Sequence, residues 1–239
     1  MPYPSLPRST RKETRVLIIE DHTLFAESLE LALTIEGYDV RRLDDVTTGS
    51  VQGLVSRARR KSARIVLVDL DLGETRNGLA LVAPLAKLGM DVVVVTADED
   101  RARWGDCLRH GARRVVSKSE PLDHILATVR RLHEGMPVLP ASERALLLAA
   151  WHQQREEHLL SVSLLESLTR REQEVLSRLM AGSTVREIAR DDVVSEATVR
   201  TQVKSILGKL GVSSQLAAVG LAHQVGWHGS GVAGRGTHA

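Results

Sequence analysis

Residues 183–214, STVREIARDDVVSEATVRTQVKSILGKLGVSS, decide the architecture of the C-terminal third. Thr184 followed by Glu187 is a capping box, which starts a helix just after Gly182 and Ser183. Ser195 is the N-cap of the next helix. There Val199, Val203, Ile206 and Leu210 recur at helical spacing and make one apolar stripe. Arg200, Thr201 and Lys204 fall off that stripe and face outward. Gly211 ends the helix as a C′ residue. The pattern is helix, tight turn, helix, with a basic outer face on the second helix. That is the layout of a helix-turn-helix, whose second helix enters the major groove of duplex DNA.

The stretch lies in a small helical region. Upstream, Thr169 and Glu172 form a second capping box and open a helix running to about Gly182. Downstream, Gln215 to Val225 reads as a fourth helix that closes the unit. Its Leu216, Ala217, Val219, Gly220 and Leu221 offer a small apolar surface suited to self-association.

Residues 15 to about 135 follow another rule. The runs VLII at 16–19, IVLV at 65–68, VVVV at 92–95 and VV at 115–116 are of buried-strand type, and a weaker strand spans Tyr38 to Arg41. Between them lie helical patterns near 22–36, 47–60, 77–88, 99–110 and 121–134. Strands alternating with helices predict an α/β fold, a five-stranded parallel sheet covered on both faces. In such a sheet, ligands bind at the carboxyl ends of the strands.

The polar residues fall at those ends. Strand one runs into Glu20 and Asp21, strand three ends in Asp69 with Asp71 two residues on, strand four ends in Thr96, and strand five ends in Ser117 and Lys118. Carboxylates gathered on one rim repel each other and call for a cation. Oxygen ligands select a hard divalent ion such as Mg²⁺. A cation, a carboxylate, a hydroxyl and an amine together are equipped for phosphoryl transfer, with the carboxylate as acceptor. His22 follows the acidic pair and is expected on the rim without a role.

Composition narrows the classes. The 239 residues suit two ordinary domains, and the formal charge of +2 excludes a protein that coats nucleic acid indiscriminately. An aromatic content of 3% speaks against a base-stacking single-strand binder. A lone Cys107 excludes a disulfide framework and a cysteine-rich metal site, and it is expected in the core. Cysteine usage and the lack of a membrane-length apolar run predict a cytoplasmic protein with no membrane partner.

Two resemblances follow from these motifs. LTRREQEVL at 168–176, EIA at 187–189, SEATVRTQVKSILGKLGV and the trailing AVGLA resemble the LuxR-type helix-turn-helix. VLIIEDH, IVLVDLDLG, VVVVTADE and HGARRVVSKSEP resemble a response-regulator receiver domain. Together, over about residues 15–135 and 165–226, the chain resembles a NarL/FixJ-type two-component response regulator. The resemblance implies a flavodoxin-like, doubly wound receiver followed by a four-helix, all-α DNA-binding domain. It implies Asp69 as phosphoacceptor, and Mg²⁺ held by Glu20, Asp21, Asp69 and the backbone carbonyl of Asp71. It makes Thr96 the switch hydroxyl and Lys118 the phosphate-binding amine. Ser195, Thr198, Arg200, Thr201, Lys204 and Lys209 become the DNA-contacting set. A sensor histidine kinase, double-stranded DNA and a second copy of the chain are the implied partners, with no turnover enzyme activity.

The expected divisions are a disordered tail over 1–14, a receiver over 15–135 and a partly helical linker over 136–166, with a helix from Ser142 to about His158. A helix-turn-helix domain over 167–227 and a disordered tail over 228–239 complete the chain. Two positions depart from the family. Gln202 stands where the family often has His, and Val115 where it usually has an aromatic that turns inward on activation. Val115 keeps open an atypical receiver controlled by a ligand or partner without phosphate. The Asp69-x-Asp71 spacing also resembles the nucleophile motif of haloacid-dehalogenase-type phosphatases, a reading opposed by Glu20-Asp21 and by the helical region that follows.

Overall fold

The structure, a computed structural model, describes residues 10–47, 50–73 and 78–229. It divides into two compact units, residues 1–152 and 153–239.

In the first unit five strands, β1 (Arg15–Ile19), β2 (Asp39–Arg42), β3 (Ile65–Asp69), β4 (Asp91–Thr96) and β5 (Arg114–Ser117), form one sheet in the order β2-β1-β3-β4-β5. Every pairing is parallel. The helices between them are α1 (Thr23–Ile35), α2 (Val51–Lys61), α3 (Leu79–Lys87), α4 (Arg101–Arg109) and α5 (Leu122–His133). The central strands are continuous runs of Val, Ile and Leu because both faces are covered. Successive side chains alternate between the faces. Leu17, Val66, Val68 and Val94 pack with Leu54 of α2, Leu81 and Leu85 of α3, and Cys107 and Leu108 of α4. Val16, Ile18, Leu67 and Val93 pack with Leu29 and Leu33 of α1 and Ile125 and Val129 of α5.

The strand order reverses at β1. The chain leaves β1 to build β2 on one side, then returns to lay β3 on the other. The two connections diverge and leave a crevice beyond the carboxyl ends of β1 and β3.

The second unit packs α7 (Arg170–Met180), α8 (Val185–Asp191), α9 (Glu196–Leu210) and α10 (Gln215–Gln224) around Val175, Leu176, Ile188, Val199, Val203, Ile206 and Ala222. Both expected capping boxes form, and the Ser195 side chain accepts the Thr198 N–H. Gly211 ends α9 in the left-handed region at φ 67. Among the described residues no single helix is long and apolar enough to cross a membrane.

Two expectations need correction. Residues 10–14 are built into the fold. Thr10 and Glu13 make a capping box around a 3-10 turn, Arg11–Glu13. Thr14 is buried, with its hydroxyl 2.9 Å from His133 Nδ1 on α5. Residues 1–9 and 230–239 of the expected tails lie outside the described residues.

The linker helix α6 spans Ala141–Glu166 rather than stopping near His158. It starts just after Pro140, and no Gly or Pro interrupts it before the Thr169 cap opens α7. Its first turns belong to the first unit and its later turns to the second. Gly105 of α4 permits the packing of α6: a Cβ there would collide with the Leu147 carbonyl and lie 2.8 Å from the Trp151 Cβ. The Arg109 guanidinium stacks over the Trp151 ring at 4.5 Å.

The second unit carries one buried ionic knot. Glu172 accepts from Ser205 Oγ at 2.7 Å, Lys209 Nζ at 2.7 Å, and the N–H and hydroxyl of Thr169 at 2.7 and 2.9 Å. Burial opposes its ionisation, but these donors outweigh burial and hold its pKa at about 2. A depressed folded pKa means the stabilisation is complete above the ordinary value of 4.5 and is lost as pH falls toward 2. Glu172→Gln should therefore destabilise this unit by about 1–3 kcal/mol at neutral pH. It should also flatten the acid limb of the stability curve between those two pH values. Denaturant unfolding of the residue 153–239 signal against pH checks this; an unchanged acid limb contradicts it.

Candidate functional site

The crevice collects side chains from four strand ends. Asp69 closes β3 and is 2% exposed. Lys118, just past β5, donates to Asp69 Oδ2 at 2.9 Å and lies 2.8 Å from Glu20 Oε2. The Asp71 N–H donates to Asp69 Oδ1 at 3.1 Å. Asp21 accepts the Gly73 N–H on Oδ2 at 2.8 Å. Thr96 closes β4, fully buried, and its hydroxyl accepts the Asp98 N–H at 3.0 Å and donates to Asp71 Oδ2 at 3.4 Å. Gly78 lets the start of α3 press on the back of this site, since a Cβ there would collide with the Asp69 carbonyl oxygen.

The electrostatics are unbalanced. Glu20, Asp21 and Asp69 converge with only Lys118 among them, and burial, reinforced by the Asp69 charge, pushes the Glu20 carboxyl up. Burial works against the Lys118 ammonium, but hydrogen bonds to Glu20 and Asp69 raise its pKa. Asp21 Oδ1 is buried and receives no hydrogen bond among the described residues. Ligand atoms of Glu20, Asp21, His22 and Asp69 lie within 4.8 Å of one another. An orphaned carboxylate oxygen beside two buried carboxylates fits a divalent cation, and the hard oxygen donors fit Mg²⁺.

The sequence reading missed several neighbours. His22, to which it gave no role, places Nδ1 3.0 Å from Glu20 Oε1 and from Asp21 Oδ1. Arg103 of α4 pairs with Asp98 and reaches Asp71 Oδ1 at 3.4 Å, tying the loops after β3 and β4 together. The Trp104 indole N–H donates to the Asp98 carbonyl at 2.8 Å. These partners depend on loop geometry, and no spacing in the sequence announces them. Val115 is buried in β5, packed in the sheet face that carries α4. Cys107 is fully buried, and burial pushes its thiol up to about 12, which makes it unreactive core.

The second candidate surface is on α9. Ser195, Thr198, Arg200, Thr201 and Lys204 are all exposed. Thr201 turns its hydroxyl onto the Ala197 carbonyl at 2.9 Å, and Arg200 pairs with Glu196 one turn back at 3.2 Å. Lys209 stands apart from this set, because its ammonium is held by Glu172 inside the unit.

The family profile for the response regulator receiver domain matches residues 16–130, and that for bacterial regulatory proteins of the luxR family matches residues 166–222. A putative transcriptional regulator of Pseudomonas aeruginosa is 30% identical over 203 residues, 84% of this chain and 93% of that protein. A nitrate/nitrite response regulator protein homolog of Haemophilus influenzae is 28% identical over 207 residues, covering 85% and 93%. Among solved structures, RcsB from Salmonella enterica serovar Typhimurium bound to promoter rprA with a phosphomimetic is 22% identical, with a TM-score of 0.47 over 89% of this chain and 99% of that one. Receiver motifs in a crevice at the strand-order switch, a luxR-type helical unit behind them, and matches running through both place the chain in one family: it is a response regulator that joins a receiver domain to a LuxR-type DNA-binding domain.

Proposed function

We propose that Asp69 accepts a phosphoryl group from a sensor histidine kinase, and that the resulting acyl phosphate favours a homodimer of this chain on duplex DNA. The observation that carries the reading is the pairing of buried Asp69 with Lys118, beside two further carboxylates and the orphaned Asp21 oxygen. In the transfer a bond forms between a carboxylate oxygen of Asp69 and phosphorus. The phosphorus–nitrogen bond of the donor's phosphohistidine breaks, and its electron pair returns to the imidazole, which takes up a proton. Lys118 is positioned to neutralise a phosphoryl oxygen, and the Asp71 N–H fixes the acceptor carboxylate. Glu20, Asp21, Asp69 and the Asp71 carbonyl would hold Mg²⁺, which when bound supplies charge neutralisation to the crevice and the phosphoryl group.

The way out of the site needs no aromatic at position 115. Phosphate on Asp69 would offer the Thr96 hydroxyl a stronger acceptor than Asp71. Thr96 also receives the Asp98 N–H, and the Asp98 carbonyl receives Trp104. Trp104 precedes Gly105, the residue on which Leu147 and Trp151 of α6 pack. Movement of Thr96 would thus pass through the β4–α4 loop to α4 and the base of α6, a bistable element both ends can bias. The DNA end would be α9, entering the major groove with Ser195, Thr198, Arg200, Thr201 and Lys204 toward the duplex. On α10, Leu216 is 82% exposed, and this helix is the proposed dimer contact.

Asp69→Asn should abolish phosphorylation by a small phosphodonor with Mg²⁺, because an amide cannot attack phosphorus. Intact mass reads the result, and full uptake in the variant would overturn the assignment. Lys204→Ala should weaken binding to all duplexes and lower the slope of log affinity against log salt by roughly one. Arg200→Ala should cost about 1–3 kcal/mol at one base pair and relax specificity there; uniform losses for both would make both phosphate contacts. Trp104→Phe, with the ring kept and the indole N–H lost, should still phosphorylate yet lose severalfold of the phosphate-dependent gain in DNA affinity. Val115→Ala should keep that gain. If instead Val115→Ala loses the gain and Trp104→Phe keeps it, the route is wrong.

A further inference from the structure

We propose that His22 is a nitrogen ligand of the cation in the acidic crevice, so that the site favours a transition ion such as Mn²⁺ over Mg²⁺. The inference rests on the reading of that crevice as the phosphorylation site. His22 occupies the N-cap of α1, where side chains ordinarily bond the helix N–H groups, and it makes no such bond. Its ring turns the other way, toward the carboxylates. Nδ1 lies 3.0 Å from Glu20 Oε1, 3.0 Å from Asp21 Oδ1 and 3.8 Å from Asp69 Oδ2. Adjacent ligands of an octahedral ion with bonds of about 2.1 Å stand about 3.0 Å apart. Nδ1 thus keeps the separation from two carboxylate oxygens that neighbouring positions in one coordination sphere require. One of those oxygens, Asp21 Oδ1, accepts no hydrogen bond among the described residues.

The backbone supports the placement. The His22 N–H donates to Glu20 Oε1 at 3.0 Å, which pins the residue over the acidic pair at a fixed helix start. The ring is otherwise open to solvent, with 69% of its side chain exposed, so ligation needs no repacking of the core. Chemistry then separates the ions. Mg²⁺ takes oxygen and gives up water reluctantly, whereas imidazole suits the transition series. A mixed set of three carboxylates and one imidazole gains more with Mn²⁺ than an all-oxygen set would. The alternative is that the ring is only a hydrogen-bond or charge partner of Glu20 and Asp21, in which case it does not discriminate between cations.

The test uses the full chain with Mn²⁺ as a paramagnetic probe and Mg²⁺ as competitor. Pulsed electron paramagnetic resonance should detect coupling of bound Mn²⁺ to an imidazole nitrogen. His22→Asn retains a good N-cap and should lose that coupling. The same variant should lose at least about tenfold in Mn²⁺ affinity, with Mg²⁺ affinity changing by less than about twofold. Absence of nitrogen coupling in the wild-type protein, its survival in His22→Asn, or equal loss of affinity for both ions would each overturn the proposal. Asp21→Ala separates this from failure of the parent reading. If Asp21→Ala abolishes Mn²⁺ binding while His22→Asn leaves it intact, the crevice remains the cation site and only the imidazole ligand is refuted. If Asp21→Ala leaves Mn²⁺ bound with its affinity unchanged, the ion lies elsewhere and both fail.

Discussion

Three carboxylates and one ammonium share a crevice at the carboxyl ends of β1 and β3, and the chemistry proposed for this chain depends on that imbalance. The sheet order creates the crevice, since the connections from β1 depart in opposite directions. The side chains that fill it are there because each strand ends where its apolar run stops. Burial makes their repulsion expensive, as the raised pKa of Glu20 records. Lys118 offsets one charge. In the proposed mechanism a cation offsets more, and a phosphoryl group becomes the anion that both positive groups are placed to receive.

The same crevice is tied to the rest of the unit through short hydrogen bonds and ion pairs. Thr96 holds the Asp98 N–H, Asp98 holds Arg103 and Trp104, and Arg103 reaches back to Asp71. The loops after β3 and β4 are therefore joined on both sides of the acceptor. A change in what Thr96 bonds alters the partners of α4, and α4 carries the glycine on which α6 rests. Val115 is left as a packed strand residue, which is what a stiff β-branched side chain in a full core does best.

Much of this was legible in the sequence because the signals are local. The strands are short apolar runs, and Thr169 with Glu172, Thr184 with Glu187 and Ser195 set helix starts by bonds within four residues. Thr10 with Glu13 carries the same signal, yet the polar segment around it read as a tail. The burial of Thr14 against His133 depends on a partner 119 positions away. Lys209 looked like one more cation on a basic helix, and only the fold brings Glu172, 37 positions away, against it. Asp98, Arg103 and Trp104 escaped because a loop, and no periodicity, sets their geometry. His22 was visible beside the acidic pair, but the direction of its ring was not.

The most direct test of the account is the affinity of the full-length protein for duplex DNA, measured at fixed salt with and without a small phosphodonor and Mg²⁺. The operator would first be selected from random duplexes by the phosphorylated protein. The account predicts tighter binding and a dimer on DNA when Asp69 carries phosphate, and no response in Asp69→Asn. Equal affinity and equal stoichiometry in both states, with phosphorylation of Asp69 confirmed by mass, would contradict it.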